Sequence, residues 1–314
     1  MITEPQQHGA WIRPSTELPA EPRWGFADGI QVGIVPPGGP RGLLRIYAPY
    51  LDHPRERLIN FIAIEPIPEG EEKRGYSELE PSDLDSVRGK RFWSVPEVDT
   101  AEIGQGDHPV AGVLTTVDGV ERLSVVIISE RFDNGADVAV RLTFRADRPH
   151  EFGIAAFRRA GSVPLQACVL TATMGNFARL RLLELAERTV TPADAWSGFS
   201  GTGFAPHAKF GLDQLTRTDA GDALVSARPD EVDHQAATYA DDTAEHWKYY
   251  GRRAVQTWRA PDPDPELVAC VNGRFTYWAS ESPIPGGVSY ENFELIEPFR
   301  QGREFFFAIE PIDE

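Results

Sequence analysis

The sequence predicts an all-β protein, an antiparallel β-sandwich that is jelly-roll-like and has few short helices. Its 314 residues include 28 glycines and 26 prolines spread along the chain, and these residues favour turns and interrupt long helices. Apolar segments of strand length recur between the turns at short, fairly regular intervals. Long helices do not alternate with these segments as they do in parallel α/β folds, so two packed antiparallel sheets are expected.

We predict an N-terminal arm over residues 1–22, followed by a single β-sandwich domain over residues 23–314. Trp11 and Trp24 are expected to hold the arm against the body of the protein, because burial stabilises large aromatic side chains. All-β domains often exceed the usual domain length as one unit, and no linker-like segment divides this chain.

Each strand is predicted from an apolar run or an apolar–polar alternation that ends at a turn. The segment 176–188 fits a helix nearly as well as a strand, and its neighbours favour the strand. The predicted strands cover residues 30–35, 42–49, 58–67, 74–80, a hairpin over 110–130, 138–145, 151–157, 165–172, 176–188, 204–212, 223–227, 245–258, 267–280, and a closing hairpin with its turn at 300–303.

Three local patterns give specific structural predictions. Asp118-Gly119 suits a two-residue turn with positive φ, so it predicts the turn of the 110–130 hairpin. Thr191 followed by Pro192 predicts the start of a short helix. The third pattern is a strict alternation that predicts one buried and one solvated face; the residues on the buried face are Val138, Val140, Leu142 and Phe144.

One pattern, with Phe second, Ile fifth, Glu sixth and Pro seventh, occurs three times. Proline lacks an N–H group and favours an extended residue before it, so each Glu-Pro pair is interpreted as the end of a strand. An alternative is that Glu65, Glu297 and Glu310 form one acidic site. The predicted closing hairpin argues against this alternative, because it places Glu297 and Glu310 at opposite ends of the hairpin.

The charge of the chain is strongly acidic, since 31 Lys and Arg against 48 Asp and Glu give a net charge of −17. Such a field favours solubility and disfavours nucleic acid and anionic membranes, so neither partner is expected. No apolar stretch has the length that a bilayer requires, so we expect a soluble protein. The polar N-terminus lacks the pattern of a secretion signal, which leaves a cytoplasmic protein or a secreted protein whose signal has been removed.

No metal centre and no cofactor is predicted. The seven histidines show neither H-x-H nor H-x-x-x-H spacing. Cys168 and Cys270 lack the paired spacing of a zinc site and are expected to be buried free thiols, with one disulfide as the alternative.

Four predicted strands carry a polar face rich in Tyr, His and Arg, whereas an ordinary solvated face is rich in Thr, Ser, Lys and Glu. Aromatic rings stack on the apolar faces of sugars, and Arg and Lys donate hydrogen bonds to hydroxyls and carboxylates. If the four strands share one sheet, they form a carbohydrate-binding groove; alternatively, they are edge strands whose large polar residues cover the surface. The faces comprise Arg45 and Tyr47; Arg74, Tyr76, Glu78 and Glu80; His207 and Lys209; and His246, Lys248, Tyr250, Arg252 and Gln256.

A carbohydrate-active enzyme is therefore predicted, and the favoured activity is that of a polysaccharide lyase acting on a uronic-acid-containing glycan by β-elimination. This reaction requires a base, an acid and cations that neutralise the substrate carboxylate. His207 and Tyr250 are the candidate catalytic pair, and nearby cations are expected to lower the pKa of Tyr250. The candidate substrate-binding residues are Arg45, Tyr47, Tyr76, Glu78, Lys209, His246, Lys248 and Arg252.

The order of three segments resembles that of jelly-roll alginate and glucuronan lyases. The segments are Tyr76-Ser77-Glu78-Leu79-Glu80, His207, and Lys248-Tyr249-Tyr250-Gly251. Those enzymes have an Arg-Ser/Thr-Glu strand, a Gln-x-His strand and a Tyr-Phe-Lys-x-Gly strand. Here Tyr76 replaces the arginine and Ala205-Pro206 replaces the Gln pattern. The resemblance implies the same fold and β-elimination chemistry.

Three other functions remain open from the sequence. A glycoside hydrolase would use paired carboxylates, and Glu78 and Glu80 would lie roughly 7 Å apart on one strand face. A sugar epimerase or mutarotase would use a His and a Glu, for example His207 with Glu78 or Glu294. A non-catalytic carbohydrate-binding module would have the same groove without an acid and a base.

Overall fold

The structure is a computed structural model that describes residues 6–8, 10–15, 21–35, 40–53, 58–100, 109–173, 179–231 and 238–312. The strands up to residue 158 are β1 (Gln6–His8), β2 (Trp11–Arg13), β3 (Arg23–Phe26), β4 (Gln31–Gly33), β5 (Leu43–Tyr47), β6 (Leu58–Pro68), β7 (Phe92–Val95), β8 (Val113–Val117), β9 (Val120–Ser129), β10 (Val138–Arg145) and β11 (Arg148–Arg158). The later strands are β12 (Leu165–Thr173), β13 (Leu180–Glu184), β14 (Thr189–Val190), β15 (Ala208–Gly211), β16 (Thr216–Arg217), β17 (Ala223–Pro229), β18 (Ala254–Ala260), β19 (Val268–Arg274), β20 (Ser289–Ile296) and β21 (Glu304–Pro311).

The strands form two large antiparallel sheets, which confirms the predicted β-sandwich class. Sheet 1 has the spatial order β1-β2-β3-β4-β5-β6-β12-β20-β19-β15. Sheet 2 has the order β14-β13-β17-β18-β21-β11-β10-β9-β7, with β16 beside β17 and β8 beside β9. Helices are short: α1 (Pro192–Ala195) and 3-10 turns at Pro49–Leu51, Leu212–Gln214 and Glu245–Trp247. In the residues described, no helix is long and apolar enough to cross a membrane.

The main hydrophobic core lies between the two sheets and contains residues of both. The predicted alternation of β10 is confirmed, since Val138, Val140, Leu142 and Phe144 are all buried. A hydrogen bond also joins the sheets: Trp258 Nε1 on β18 donates to the carbonyl of Phe293 on β20 at 2.9 Å. Sheet 1 therefore turns one face toward sheet 2 and leaves the other face outward.

Three local predictions are confirmed. The hairpin of β8 and β9 turns at Asp118 and Gly119, with φ values of 53° and 80°. Thr191 caps α1, because its side chain accepts a hydrogen bond from the backbone N–H of Asp194 while the Asp194 carboxylate accepts one from the Thr191 N–H. The ambiguous segment 176–188 contains β13 rather than a helix over its described part.

The predicted closing hairpin is wrong, because β20 belongs to sheet 1 and β21 belongs to sheet 2. Glu297 holds the connection between them, accepting hydrogen bonds from Arg300 Nη2 at 2.7 Å and Arg303 Nε at 2.6 Å. The chain therefore crosses from sheet 1 to sheet 2 at the position where the sequence predicted a hairpin turn.

The predicted strand over residues 245–258 is also wrong, because a 3-10 turn covers Glu245–Trp247 and β18 begins only at Ala254. Tyr249 is buried, and its hydroxyl donates to the carbonyl of Arg252, so the chain bends here. The bend changes which side chains share a face. Gln256 faces the core, where its Oε1 accepts a hydrogen bond from Asn60 Nδ2 at 2.6 Å.

Two further predicted strands are shorter or absent. Only Ala208–Gly211 of the segment 204–212 forms a strand, β15. Residues 74–80 form no strand, and a turn covers residues 77–79. At the N-terminus, β1 and β2 join the edge of sheet 1, and Trp11 and Trp24 are buried.

Cys168 and Cys270 are free thiols, and burial raises the pKa of both to about 12.

Candidate functional site

The outward face of sheet 1 carries a row of polar side chains across β6, β12, β20, β19 and β15. On β6, Ile62 and Ile64 pack in the core, so the alternating residue Glu65 points outward. The register continues this row across the sheet, because Cys270 on β19 lies opposite both Glu294 on β20 and Lys209 on β15. Polar residues that are far apart in sequence therefore meet on one surface.

Arg74 reaches this row from the segment that follows β6. Gly75 N–H donates to the carbonyl of Pro66 at 2.8 Å and Ser77 N–H to that of Ile64 at 3.2 Å, so the segment runs antiparallel beside β6. It occupies the edge beyond the end of β5, whose Leu43 pairs with Ala63. Residues 74 and 76 are thereby directed to the outward face, as the alternation of the sequence predicts.

Arg74 joins two carboxylates into one network. Its Nη1 donates to Glu65 Oε2 at 2.7 Å and to Glu294 Oε2 at 2.9 Å, while its Nη2 donates to Glu294 Oε1 at 2.9 Å. Thr171 Oγ1 adds a fourth bond, to Glu294 Oε2 at 2.7 Å. We call Glu65, Arg74, Thr171 and Glu294 the carboxylate cluster.

Burial sets the protonation behaviour of this cluster. It raises the pKa of Glu65 to about 7, with a further contribution from the charge of Glu294, while Arg74 opposes both effects. Burial lowers the pKa of Arg74, but the hydrogen bonds and charges of Glu294 and Glu65 outweigh this, so the net shift is upward. The guanidinium therefore stays charged while Glu65 exchanges a proton near neutral pH.

His207 lies directly above the cluster, just before β15. Its Nε2 is 3.7 Å from Glu294 Oε1 and 3.5 Å from Asn272 Nδ2. The side chain is 39% exposed, whereas that of Glu294 is 1% exposed. Burial and the charges of Arg74 and Lys209 lower the pKa of His207, and Glu294 only partly opposes them. The imidazole is therefore neutral at pH 7 and suited to accept a proton from a bound molecule.

Tyr76 lies near the cluster on the side of β6 and is also exposed. Burial raises the pKa of Tyr76, as do the charges of Glu65 and Glu294, although Arg74 opposes them. Its phenol stays protonated at neutral pH and is suited to donate a proton. We call the carboxylate cluster together with His207, Asn272 and Tyr76 the His207 site.

Arg45 and Glu78 share the outward face of sheet 1 but differ from the prediction in exposure. Arg45 pairs with Phe61 and is buried, donating to the carbonyls of Leu43 and Pro40. Burial lowers the pKa of Arg45 and raises that of Glu78. Glu78 Oε1 also lies 3.8 Å from Arg88 Nη2. Arg45 therefore supports the face from below and does not extend into solvent.

Two other residues of the predicted faces have structural contacts instead of open positions. Tyr47 is buried, and the guanidinium of Arg23 lies 3.8 Å from the centre of its ring. Burial raises the pKa of Tyr47. Glu80 accepts hydrogen bonds from the backbone N–H groups of Tyr76 at 2.9 Å and Asp133 at 3.0 Å. Glu80 therefore stabilises this loop, which argues against Glu78 and Glu80 as the carboxylate pair of a hydrolase.

Tyr250 belongs to a different group. Its hydroxyl donates to Glu245 Oε1 at 2.8 Å, and Lys248 Nζ lies 3.1 Å from Glu245 Oε2. The hydrogen bond to Glu245 raises the pKa of Tyr250, contrary to the expected decrease. Arg252 is exposed, and the side chain of His246 lies outside the described part of the structure. The contacts within the described residues join Tyr250 to Glu245, not to His207.

Sequence reasoning found His207, Arg74 and Tyr76 but missed most of the cluster beneath them. Glu65 was assigned to the end of a strand, Glu294 only to an alternative, and Thr171 and Asn272 to no role. One pattern in the sequence pointed to Glu294. It is flanked by Phe293 and Leu295 in an apolar run, and a buried charged residue requires a partner.

Glu291, also on β20, is a further buried carboxyl near this face. It is 2% exposed, and its Oε2 has no hydrogen-bond partner among the described residues. Burial raises the pKa of Glu291 to about 7, with a further contribution from Glu78, while Arg274 opposes the shift. This raised pKa links the stability of the fold to pH.

Replacement of Glu291 by glutamine is expected to stabilise the protein at pH 8. In the folded state Glu291 keeps a proton that the unfolded chain releases between about pH 4.5 and 7. Its contribution to stability therefore falls as pH rises through this window, by roughly 3 kcal/mol for a shift of this size. Urea unfolding at pH 4.5 and 8 measures the difference, with exposed Glu281→Gln as the control. An equal pH slope in wild type and Glu291→Gln would contradict the prediction.

Comparisons with known protein families, with curated proteins and with solved structures found no match for this chain. Within the described ranges, no group of three or more His, Cys, Asp or Glu side chains is arranged to hold a metal ion.

Proposed function

We propose that the chain is a carbohydrate-active enzyme that interconverts forms of a sugar by proton transfer, as an epimerase or a mutarotase does. The contact of His207 Nε2 with Glu294 Oε1 at 3.7 Å carries this proposal. It joins an accessible imidazole to a buried carboxylate that Arg74 and Thr171 hold in place. A base fixed in this way on a rigid sheet is the arrangement that general base catalysis needs.

Each accessible group has one role in this proposal. Neutral His207 accepts a proton from the anomeric hydroxyl of the sugar, and protonated Tyr76 donates one to the ring oxygen, so that the bond between the anomeric carbon and the ring oxygen opens. When the ring closes on the other face of the carbonyl, His207 gives its proton to the carbonyl oxygen. The hydroxyl that becomes the ring oxygen again returns its proton to Tyr76. Glu294 is a positioning residue, because its burial keeps it from the substrate and its carboxylate orients His207.

Hydrolysis is less well supported because the paired carboxylates are not accessible. The side chains of Glu65 and Glu294 are 9% and 1% exposed, and Arg74 bonds both. A glycosidase needs both carboxyl groups in contact with the scissile bond or with a water molecule beside it. Here they are better suited to hold His207 than to reach a sugar.

A polysaccharide lyase is the second candidate, and Lys209 is the observation that favours it. β-Elimination requires a cation for the substrate carboxylate, but Arg74 is bonded to two carboxylates and Lys248 is paired with Glu245. Lys209 is exposed beside His207 on the outward face, and in the part of the chain that is described no carboxylate forms an ion pair with it. In this second proposal His207 is the base, Tyr76 the acid and Lys209 the neutralising cation.

A panel of neutral and uronic mono- and oligosaccharides separates these functions. We expect enzyme-dependent exchange between sugar forms in NMR spectra, with deuterium uptake at carbon if a C–H bond is broken. An unsaturated product absorbing in the near ultraviolet would instead identify the lyase. Glycan binding without any product would identify a binding module and overturn the proposal, as would a complete lack of exchange across the panel.

A further inference from the structure

Exposed aromatic side chains gather around the His207 site. Among the residues described, the exposed Phe, Tyr and Trp residues are Tyr76, Phe204 and Trp278. Tyr76 belongs to the site itself, and Phe204 precedes His207 by three residues. Aromatic side chains are normally buried because of their large apolar area, so their exposure around one site indicates a binding surface.

Phe204 and Trp278 lie together on the outward face. Phe204 pairs with Arg274 in a single antiparallel bridge beyond the end of β15. Gly273 lies opposite the core residue Tyr290 and faces inward, so the next residue, Arg274, faces outward together with its partner. The rings of Phe204 and Trp278 have centres 5.8 Å apart and an interplanar angle of 41°.

The guanidinium of Arg274 supports both rings from below. It lies 4.9 Å from the centre of the Phe204 ring and 5.1 Å from that of Trp278. Arg274 is buried and donates to the carbonyls of Thr276 at 3.1 Å and Thr202 at 2.9 Å. Because Arg274 is fixed, the rings above it are held before any ligand arrives, which lowers the entropic cost of binding.

We propose that Phe204 and Trp278 form a second sugar subsite, so that the substrate of the His207 site is an oligosaccharide or polysaccharide and not a monosaccharide. This inference rests on the proposed function. Phe204 pairs with Arg274, which lies two residues along β19 from Asn272, and Asn272 in turn lies against His207. The two positions are therefore roughly 7 Å apart along the sheet, which exceeds the width of one sugar ring. A pyranose presents C–H groups on its faces, and such groups stack on aromatic rings while the hydroxyls at its edge stay hydrated.

The test is affinity electrophoresis in gels that contain alginate, polygalacturonate, xylan, mannan or β-glucan. We expect one of these to retard the wild type, and Trp278→Ala and Phe204→Ala to weaken the retardation at least tenfold, with partial recovery in Trp278→Phe. Leu114→Ala, which removes an equally exposed apolar side chain from sheet 2, is the matched control and should change nothing. Unchanged thermal unfolding in all variants shows that the fold is kept.

The outcomes separate the subsite from the catalytic proposal. His207→Asn should bind the glycan as wild type does, so loss of binding in Trp278→Ala alone supports the subsite. If turnover of a monosaccharide is found and Trp278→Ala keeps wild-type affinity for every glycan, the subsite is overturned and the catalytic proposal stands. If no glycan retards the wild type, the subsite is likewise overturned. If glycans bind through Trp278 but no sugar is converted, the subsite stands and the catalytic proposal fails.

Discussion

The His207→Asn variant is expected to lose about 10²–10⁴-fold in turnover of the sugar substrate while its affinity for the sugar changes little. Asparagine keeps a polar side chain of similar reach but cannot take up a proton. The side chain of His207 is 39% exposed, so its replacement leaves the core intact. Steady-state kinetics with the substrate found in the panel measure the effect, and thermal unfolding verifies the fold.

His150→Asn is the matched control for this substitution. His150 also contacts a glutamate, since its Nδ1 lies 2.9 Å from Glu310 Oε2, but this pair is on sheet 2. Its removal should leave turnover unchanged. The wild-type rate should also fall as pH drops through the lowered pKa of His207, because the protonated ring cannot act as a base. Full activity of His207→Asn would refute both the epimerase and the lyase proposals.

The Arg74→Met variant is expected to lose about 3–5 kcal/mol of unfolding free energy at pH 8, because it leaves two buried carboxylates without their cation. Methionine keeps much of the length and apolar volume of the arginine stem. The loss should shrink as pH falls below the pKa of Glu65, about 7 in the wild type, because the protonated carboxyl no longer needs the cation. Urea unfolding at pH 5.5 and 8 measures both effects.

Arg88→Met gives the comparison for a solvated ion pair. Arg88 is 52% exposed and lies 3.8 Å from Glu78, so its removal should cost less than about 1 kcal/mol. If Arg74→Met were no more costly than Arg88→Met, the carboxylate cluster would not be the support that holds Glu294 beneath His207.

Local patterns predicted the fold well wherever the side-chain alternation was regular. Asp118-Gly119 fixed a hairpin because the required turn admits few residues, and the apolar face of β10 marked the core. The prediction of a closing hairpin was wrong for a physical reason. A second strand that pairs with the first in the same sheet and one that crosses to the opposite sheet both bury one alternating face, so their sequence patterns are the same. Only the long-range strand pairing distinguishes the two, since β20 pairs with β12 and β19 whereas β21 pairs with β11 and β18.

The candidate site was predictable only in its exposed layer. His207 and Tyr76 were identified because each lies on a strand face that the alternation of the sequence predicts to be polar. Glu65 was misread because Glu65-Pro66 was taken as a strand end, whereas β6 continues to Pro68. Pro66 is tolerated there because the N–H and C=O of a strand residue point to the same side, and its carbonyl bonds Gly75 N–H and Asn134 Nδ2 on the side away from β12. The missing N–H therefore removes no hydrogen bond to β12. Tyr250 was assigned to a strand face because alternation was extended through the bend beside the buried Tyr249.

The position of β21 also has a consequence for how the molecule assembles. This strand lies in sheet 2 between β11 and β18. Its residue Ala308 pairs with Glu151 on one side and with Thr257 on the other, so β21 joins two strands that are far apart in the sequence. The two parts of sheet 2 therefore remain open-edged until β21 inserts between them, which requires a large loop to close first. Such late, non-local closure is typical of slowly folding β proteins, and the unpaired edges of β11 and β18 are the places where an incomplete chain is most exposed to aggregation.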